Sequence, residues 1–178
     1  MASRKGVTLA RAREPSPRYR AATLSAPGVV ERKPEQRRAL LDVNVLIALL
    51  DADHLHHARA AQWLAENIAA GWASCAITQN GCVRIMSQPG YPNALPAARV
   101  AQRLREATET DFHLFVPGDV SLLDTSRFDA EQLLGHRQVT DAYLLGLAVE
   151  NRWRFVTFDG VIPVRVVRGA GPSHLVVL

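Results

Sequence analysis

Apolar residues fall in two patterns along this chain of 178 residues. Short, nearly uninterrupted apolar runs predict buried strands at Ala39–Val43, Trp72–Ile77, Phe112–Val116 and Arg154–Thr157, with His174–Leu178 as a fifth at one edge. Between them, apolar residues three and four apart predict helices over Asn44–Leu50, His54–Ala70, Gln79–Met86, Leu95–Glu109 and Asp141–Asn151, and over at least part of Thr125–Leu134. His54–Ala70 carries Leu55, Ala58, Ala61, Leu64 and Ile68 on one stripe, with Trp63 at its border, and Gly71 ends it. Thr140 reads as the N-cap of the Asp141 helix, where a carboxylate in the first turn also suits the helix dipole. Regular alternation of strand and helix makes the fold class α/β, a three-layer α/β/α sandwich with a mostly parallel central sheet.

Three aspartates stand where these elements change. Asp42 closes the first strand, Asp159 follows the fourth, and Asp141 opens the last long helix. In an open parallel sheet, the carboxyl ends of the strands gather along one edge, where ligands bind. Carboxylates brought together there repel one another unless protonated or neutralised by a cation. A hard divalent ion with oxygen ligands, Mg²⁺ or in its place Mn²⁺, answers that need. Carboxylate-held metal of this kind hydrolyses phosphodiesters without a covalent nucleophile. The pattern therefore points to a metal-dependent nuclease.

Charge divides the chain. Residues 1–38 carry ten Lys/Arg against three Glu, whereas residues 39–178 carry eleven Arg against fourteen acids. The net charge of +4 is thus a property of the first segment, which also holds Pro15, Pro17, Pro27 and Pro34 and lacks periodicity. Such composition predicts a disordered basic extension, either a solvated tail or a non-specific attractor of RNA phosphates. Residues 39–178 form the expected nuclease domain. The longest apolar run, Val45–Leu50, is far short of the ~20 residues that cross a bilayer. With no apolar leader, and with only Cys75 and Cys82 outside any metal-site spacing, the chain reads as cytoplasmic, with reduced thiols.

The segments LLDVNVLIALL (Leu40–Leu50), GHRQVTDAYLLGLA (Gly135–Ala148) and RFVTFDG (Arg154–Gly160) resemble the motifs of PIN-domain ribonucleases. More narrowly they resemble VapC toxins of VapBC toxin–antitoxin systems, over nearly all of residues 39–178. The resemblance implies a PIN-like fold and an endoribonuclease that acts as the toxin of a type II pair. It implies Asp42, Asp141 and Asp159 as metal-binding catalytic acids, with Asn44 and Thr157 orienting them and Thr140 beside them. It also implies RNA as substrate, a VapB-like antitoxin and a homodimer as partners, and 5′-phosphate and 3′-hydroxyl products. Apolar surface at Leu49, Leu50 and Trp63 is available for those protein contacts.

One departure stands out. The family carries a glutamate in the stretch reading Ile77–Ile85 here, whereas this chain has Gln79-Asn80-Gly81 and no acid from Asn67 to Arg105. Gln79, with Asn80 next to it, reads as a neutral replacement that leaves metal binding weaker. Because residues 39–178 contain no lysine, arginines must grip phosphate, and Arg84, Arg137 and Arg154 lie near the motif ends. The same lack of lysine argues against a phosphatase or phospho-receiver domain. The alternative within the fold is a catalytically weak or inactive PIN module that binds RNA or antitoxin. His54, His56 and His57 read as helix-opening residues rather than ligands, and Asp159 has a second reading as a turn residue before Gly160.

Overall fold

A computed structural model describes residues 37–162 and 164–178. Its elements are β1 (Ala39–Leu41), α1 (Val43–Leu50), α2 (His57–Asn67), β2 (Trp72–Cys75), α3 (Ala76–Met86), α4 (Ala97–Thr108), β3 (His113–Val116), α5 (Gln138–Glu150), β4 (Arg154–Thr157) and β5 (Leu175–Val177). The strands form one sheet in the order β3-β2-β1-β4-β5, and every neighbouring pair is parallel. The chain winds outward from β1 to β2 and β3, then returns to lay β4 on the other side of β1. The strand order therefore reverses between β1 and β4, the place where an open α/β sheet leaves a crevice at its carboxyl edge.

Side-chain alternation along the strands builds the two cores. Leu40 and Phe155 pack with Leu144, Leu145 and Ala148 of α5 on one face. Ala39, Leu41 and Val156 pack on the other with Val45 and Ala48 of α1, Ala60 of α2, Met86 of α3 and Val100 of α4. Both faces of β1, β2 and β4 are covered, as a parallel sheet requires, while Leu114 and Phe115 of the edge strand β3 stay partly exposed. The expected three-layer α/β sandwich is the observed one.

Element boundaries differ from the sequence reading where side chains cap the helices. β1 stops at Leu41, because Asp42 accepts the Val43 amide and starts α1 one residue early. β2 stops at Cys75, whose amide is bound by Thr78 Oγ1 at 2.9 Å, so Ala76 and Ile77 belong to α3. α5 opens at Gln138, which puts Thr140 inside the helix and not at its N-cap. Of Thr125–Leu134 only a short 3-10 turn forms, over Ala130–Gln132. Gly81 has a packing role: a Cβ there would lie 2.7 Å from Val43 Cγ2, so its bareness lets α3 close on the start of α1.

Apart from Arg37 and Arg38, the basic extension assigned to residues 1–38 lies outside the described residues. Arg38 itself is tied to the sheet, donating from Nη1 to the carbonyls of Trp72 at 2.9 Å and Phe112 at 2.8 Å. Cys75 and Cys82 are free and buried. No helix among the described residues is long and apolar enough to cross a membrane.

Arg154 requires a correction. It begins β4, at the opposite end of the strand from Thr157, and is only 5% exposed. Its guanidinium lies 5.3 Å over the Trp63 ring, donates to Asn67 Oδ1 at 3.1 Å, and reaches the Arg37 carbonyl through Nε at 3.2 Å. It fastens α2 to the sheet and is no RNA contact. Arg154→Met, which keeps the bulk and strands both acceptors, is expected to cost about 1–3 kcal/mol of stability in a denaturant titration.

Candidate active site

At the β1–β4 crevice a single hydroxyl organises the acids. Asp42 is 6% exposed and sits between two donors: the Val43 amide on Oδ1 at 2.7 Å and the Thr157 hydroxyl on Oδ2 at 2.7 Å. Thr157 Oγ1 in turn accepts from Asn44 Nδ2 at 3.0 Å and from the Asp159 amide at 3.0 Å. A hydroxyl has one proton and two lone pairs, so all three valences are used and the proton must point at Asp42. Asn44 completes the loop by accepting the Phe158 amide at 3.3 Å. Asn44 and Thr157 thus hold the end of β4 against the start of α1 and fix the Asp42 carboxylate.

Asp141, in the first turn of α5, lines the same cavity as Asp42, a space of about 610 Å³ that also takes in Asn44, Asn80, Arg84 and Thr140. Its carboxyl is pushed up to about 6, first by burial and then by repulsion from Asp42 and Asp159. Burial also raises Asp42, against the pull of its Thr157, Val43 and Asn44 hydrogen bonds and with added repulsion from Asp159. The three acids therefore sense one another across one site. Asp159 is exposed and uses Oδ1 to accept the Val161 amide at 2.7 Å. That is the turn bond of the second sequence reading, and it occupies only one of the two oxygens.

Among the described residues, no three His, Cys, Asp or Glu side chains converge as a ready-made metal cluster. The donor set nevertheless fits a hard cation in kind. It offers carboxylate oxygens beside the amide and hydroxyl oxygens of Asn44, Asn80 and Thr140, and two of the carboxyls are displaced upward, first by burial and then by acidic neighbours whose repulsion a cation would offset.

The glutamine expected to replace the missing glutamate points elsewhere. Gln79 Nε2 donates to Ser74 Oγ at 2.9 Å, and Gln79 lines a separate groove between α3, α4 and β3. Ser74 also meets His113 Nε2 at 2.9 Å, and burial holds that imidazole below its ordinary range. Asn80 is the α3 amide that lines the acidic cavity. Arg84 lines that cavity as well, while Arg137 lines a second one together with Asp141 and Asp159. Neither guanidinium makes an ion pair or hydrogen bond among the described residues.

Sequence reasoning missed the apolar wall formed by Ile47 and Ile77, and the second cavity with Leu134 and Val161. Gly81 inside a helical pattern was the available hint that α3 approaches the first motif closely. The histidines behave as expected: His57 Nδ1 meets the Ala48 carbonyl at 2.8 Å, and His56 stacks on Phe158 with ring centres 4.5 Å apart.

Comparison with known proteins agrees with this arrangement. The PIN domain family matches residues 39–165. The chain is 53% identical to Ribonuclease VapC44 of Mycobacterium tuberculosis, over 79% of this chain and 99% of that protein. It is 41% identical to Ribonuclease VapC38 of the same species, again over 79% of this chain and 99% of the relative. Among solved structures, VapBC2 from Rickettsia felis bound to a promoter DNA fragment aligns with a TM-score of 0.51 at 14% identity, covering 79% of this chain and 98% of that one. The M. tuberculosis Sarcin-Ricin loop cleaving toxin VapC20 gives a TM-score of 0.50 at 15% identity, covering 75% and 99%. The chain belongs to the PIN-domain family, within its VapC toxins.

Proposed function

We propose that this protein is a metal-dependent endoribonuclease that acts as the toxin of a toxin–antitoxin pair. The observation that carries the reading is the pairing of Asp42, fixed by Thr157, with Asp141, displaced to about 6 by burial and its acidic neighbours. The ribonuclease names of relatives at 53% and 41% identity support the reaction class.

Asp42 and Asp141 would hold Mg²⁺ or Mn²⁺, with Asp159 beside them. When bound, such an ion polarises the scissile phosphate and acidifies water. The second Asp159 oxygen orients the attacking water and accepts its proton. Arg84 and Arg137, on either side of Asp141, take the flanking phosphates of the strand. The 2′-hydroxyl plays no part, so the products carry a 5′-phosphate and a 3′-hydroxyl. A VapB-like antitoxin, in keeping with the VapBC composition of the R. felis structure, and a second copy of the chain are the proposed protein partners.

One observation favours the weaker alternative, an inactive PIN module: α3 brings an amide, Asn80, and no acid to the cavity. Cleavage decides between them. Purified protein should cut RNA when Mg²⁺ or Mn²⁺ is added and stop with a chelator, and sequencing of 5′-phosphate ends after brief induction should show discrete cuts. If RNA stays intact at every metal concentration, the enzyme reading fails.

The arginine assignment has its own signature. Single-stranded binding loses about 0.7 in log–log salt slope for each phosphate contact removed. The double variant Arg84→Ala/Arg137→Ala should therefore flatten the slope by about 1.4. An unchanged slope would place the strand elsewhere.

A further inference from the structure

The second cavity, about 560 Å³, opens on the far side of Asp141 from the first and is lined by Leu134, His136, Arg137, Gln138, Asp159 and Val161. Two aliphatic side chains stand in solvent at its mouth: Leu134 is 87% exposed and Val161 is 73% exposed. Both jaws lie in loops, and each is tied by a side-chain bond. The Leu134 amide donates to Gln138 Oε1 at 3.0 Å, at the first residue of α5, and the Val161 amide donates to Asp159 Oδ1 at 2.7 Å. Asp141 stands one turn into α5, three residues after the Gln138 anchor, and Asp159 is itself the Val161 anchor. The volume lies within the ~300–1,000 Å³ of small-ligand sites.

We infer that this cavity is a nucleobase pocket for the RNA nucleotide next to the scissile phosphate, with Leu134 and Val161 closing on the two faces of a base turned out of its stack. The inference rests on the nuclease reading and extends it to substrate recognition. Three observations lead to this occupant. The cavity shares Asp141 with the first and holds the third acid, Asp159, so a strand laid across those acids must pass its mouth. Arg137 at its rim has no anionic partner among the described residues and suits the phosphate of the same nucleotide. The inside offers the Gln138 amide nitrogen as a hydrogen-bond donor to a base edge, its oxygen being held by the Leu134 amide. Bases extruded into enzyme sites are read this way, sandwiched between apolar side chains and hydrogen-bonded at their edges.

The test uses the full chain with methyl labelling in MgCl₂, titrated with each of the four nucleoside 5′-monophosphates. Ribose 5-phosphate serves as the base-free control and L-argininamide as a mimic of a peptide's cationic side chain. The Leu134 and Val161 methyl signals should move with at least one nucleotide and stay still with ribose 5-phosphate. Leu134→Ser/Val161→Ser changes only exposed positions and should weaken that nucleotide by about tenfold. The inference is overturned if no nucleotide moves these methyls, if ribose 5-phosphate moves them equally, or if only L-argininamide does. A parallel cleavage assay keeps the two readings separate: equal cleavage by the wild-type chain and Asp42→Asn ends the nuclease reading, while the titration still decides whether a base is bound.

Discussion

Asp42→Asn should lower the rate of RNA cleavage by at least about a hundredfold while leaving the protein folded. An amide is as good an N-cap as a carboxylate, so α1 keeps its start and the remaining side-chain oxygen of the variant can still receive the Val43 amide. The other position changes sign. Where Oδ2 accepts the Thr157 proton at 2.7 Å, the variant must either place an NH₂ group against a hydroxyl whose lone pairs are already filled, or flip and lose its cap bond. The substitution also removes one negative charge from the cation site. Loss of orienting partners alone typically changes metal affinity by about 10–100-fold, and loss of a ligand's charge adds to that. Thermal unfolding together with initial cleavage rates over a range of Mg²⁺ concentrations checks both halves. A variant that cuts at the wild-type rate would remove Asp42 from the mechanism.

A second large effect is expected from the meeting of pH and metal. Without a cation, Asp141 in the folded protein holds its proton until about 6, well above the ordinary 3.8. A raised folded value means that the stabilisation is complete below the unfolded value and is lost as pH rises through about 6. Asp42 is displaced in the same direction. In chelator, the contribution of these acids to stability should therefore fall between pH 4 and pH 7.5. Added Mg²⁺ should restore it, far more at pH 7.5 than at pH 5, because protons and cation compete for the same oxygens. Ligand at about one hundred times its dissociation constant stabilises by roughly 2.7 kcal/mol. For a domain of this size that shifts the melting temperature on the order of 10 °C. Asp141→Asn should melt higher than wild type in chelator at pH 7.5 and lose most of its response to Mg²⁺. His113 has the opposite sign: its value is depressed, so its contribution is lost as pH falls below the normal imidazole range. The wild-type-minus-variant difference at each pH isolates Asp141. Equal Mg²⁺ shifts at pH 5 and pH 7.5 would contradict this account.

The strands were legible because a sheet covered on both faces needs uninterrupted apolar runs, and the acids at the β1–β4 crevice were legible because parallel strands share one carboxyl edge. Other features depend on contacts between distant segments. Arg154 looks like any strand-end arginine until Trp63 and Asn67 are seen beneath it. Gln79 and Asn80 are adjacent in sequence, yet the close approach of Gly81 to Val43 and the Ser74 hydroxyl turn one toward the α4 groove and leave the other at the acids. Thr140 has the chemistry of a cap, but the helix begins two residues earlier, at Gln138. Local pattern fixes which elements exist. Which face of each element meets the site is decided by packing.

Asp42 directly follows the first strand of the domain, while the hydroxyl that orients it is 115 positions later, on a strand that comes after α5 in the chain. A nascent chain emerging from its ribosome therefore exposes the first acid long before its companions exist. Translation must release β4 before the centre can assemble, so a chain that ends upstream of Thr157 lacks both the hydroxyl that fixes Asp42 and the third acid.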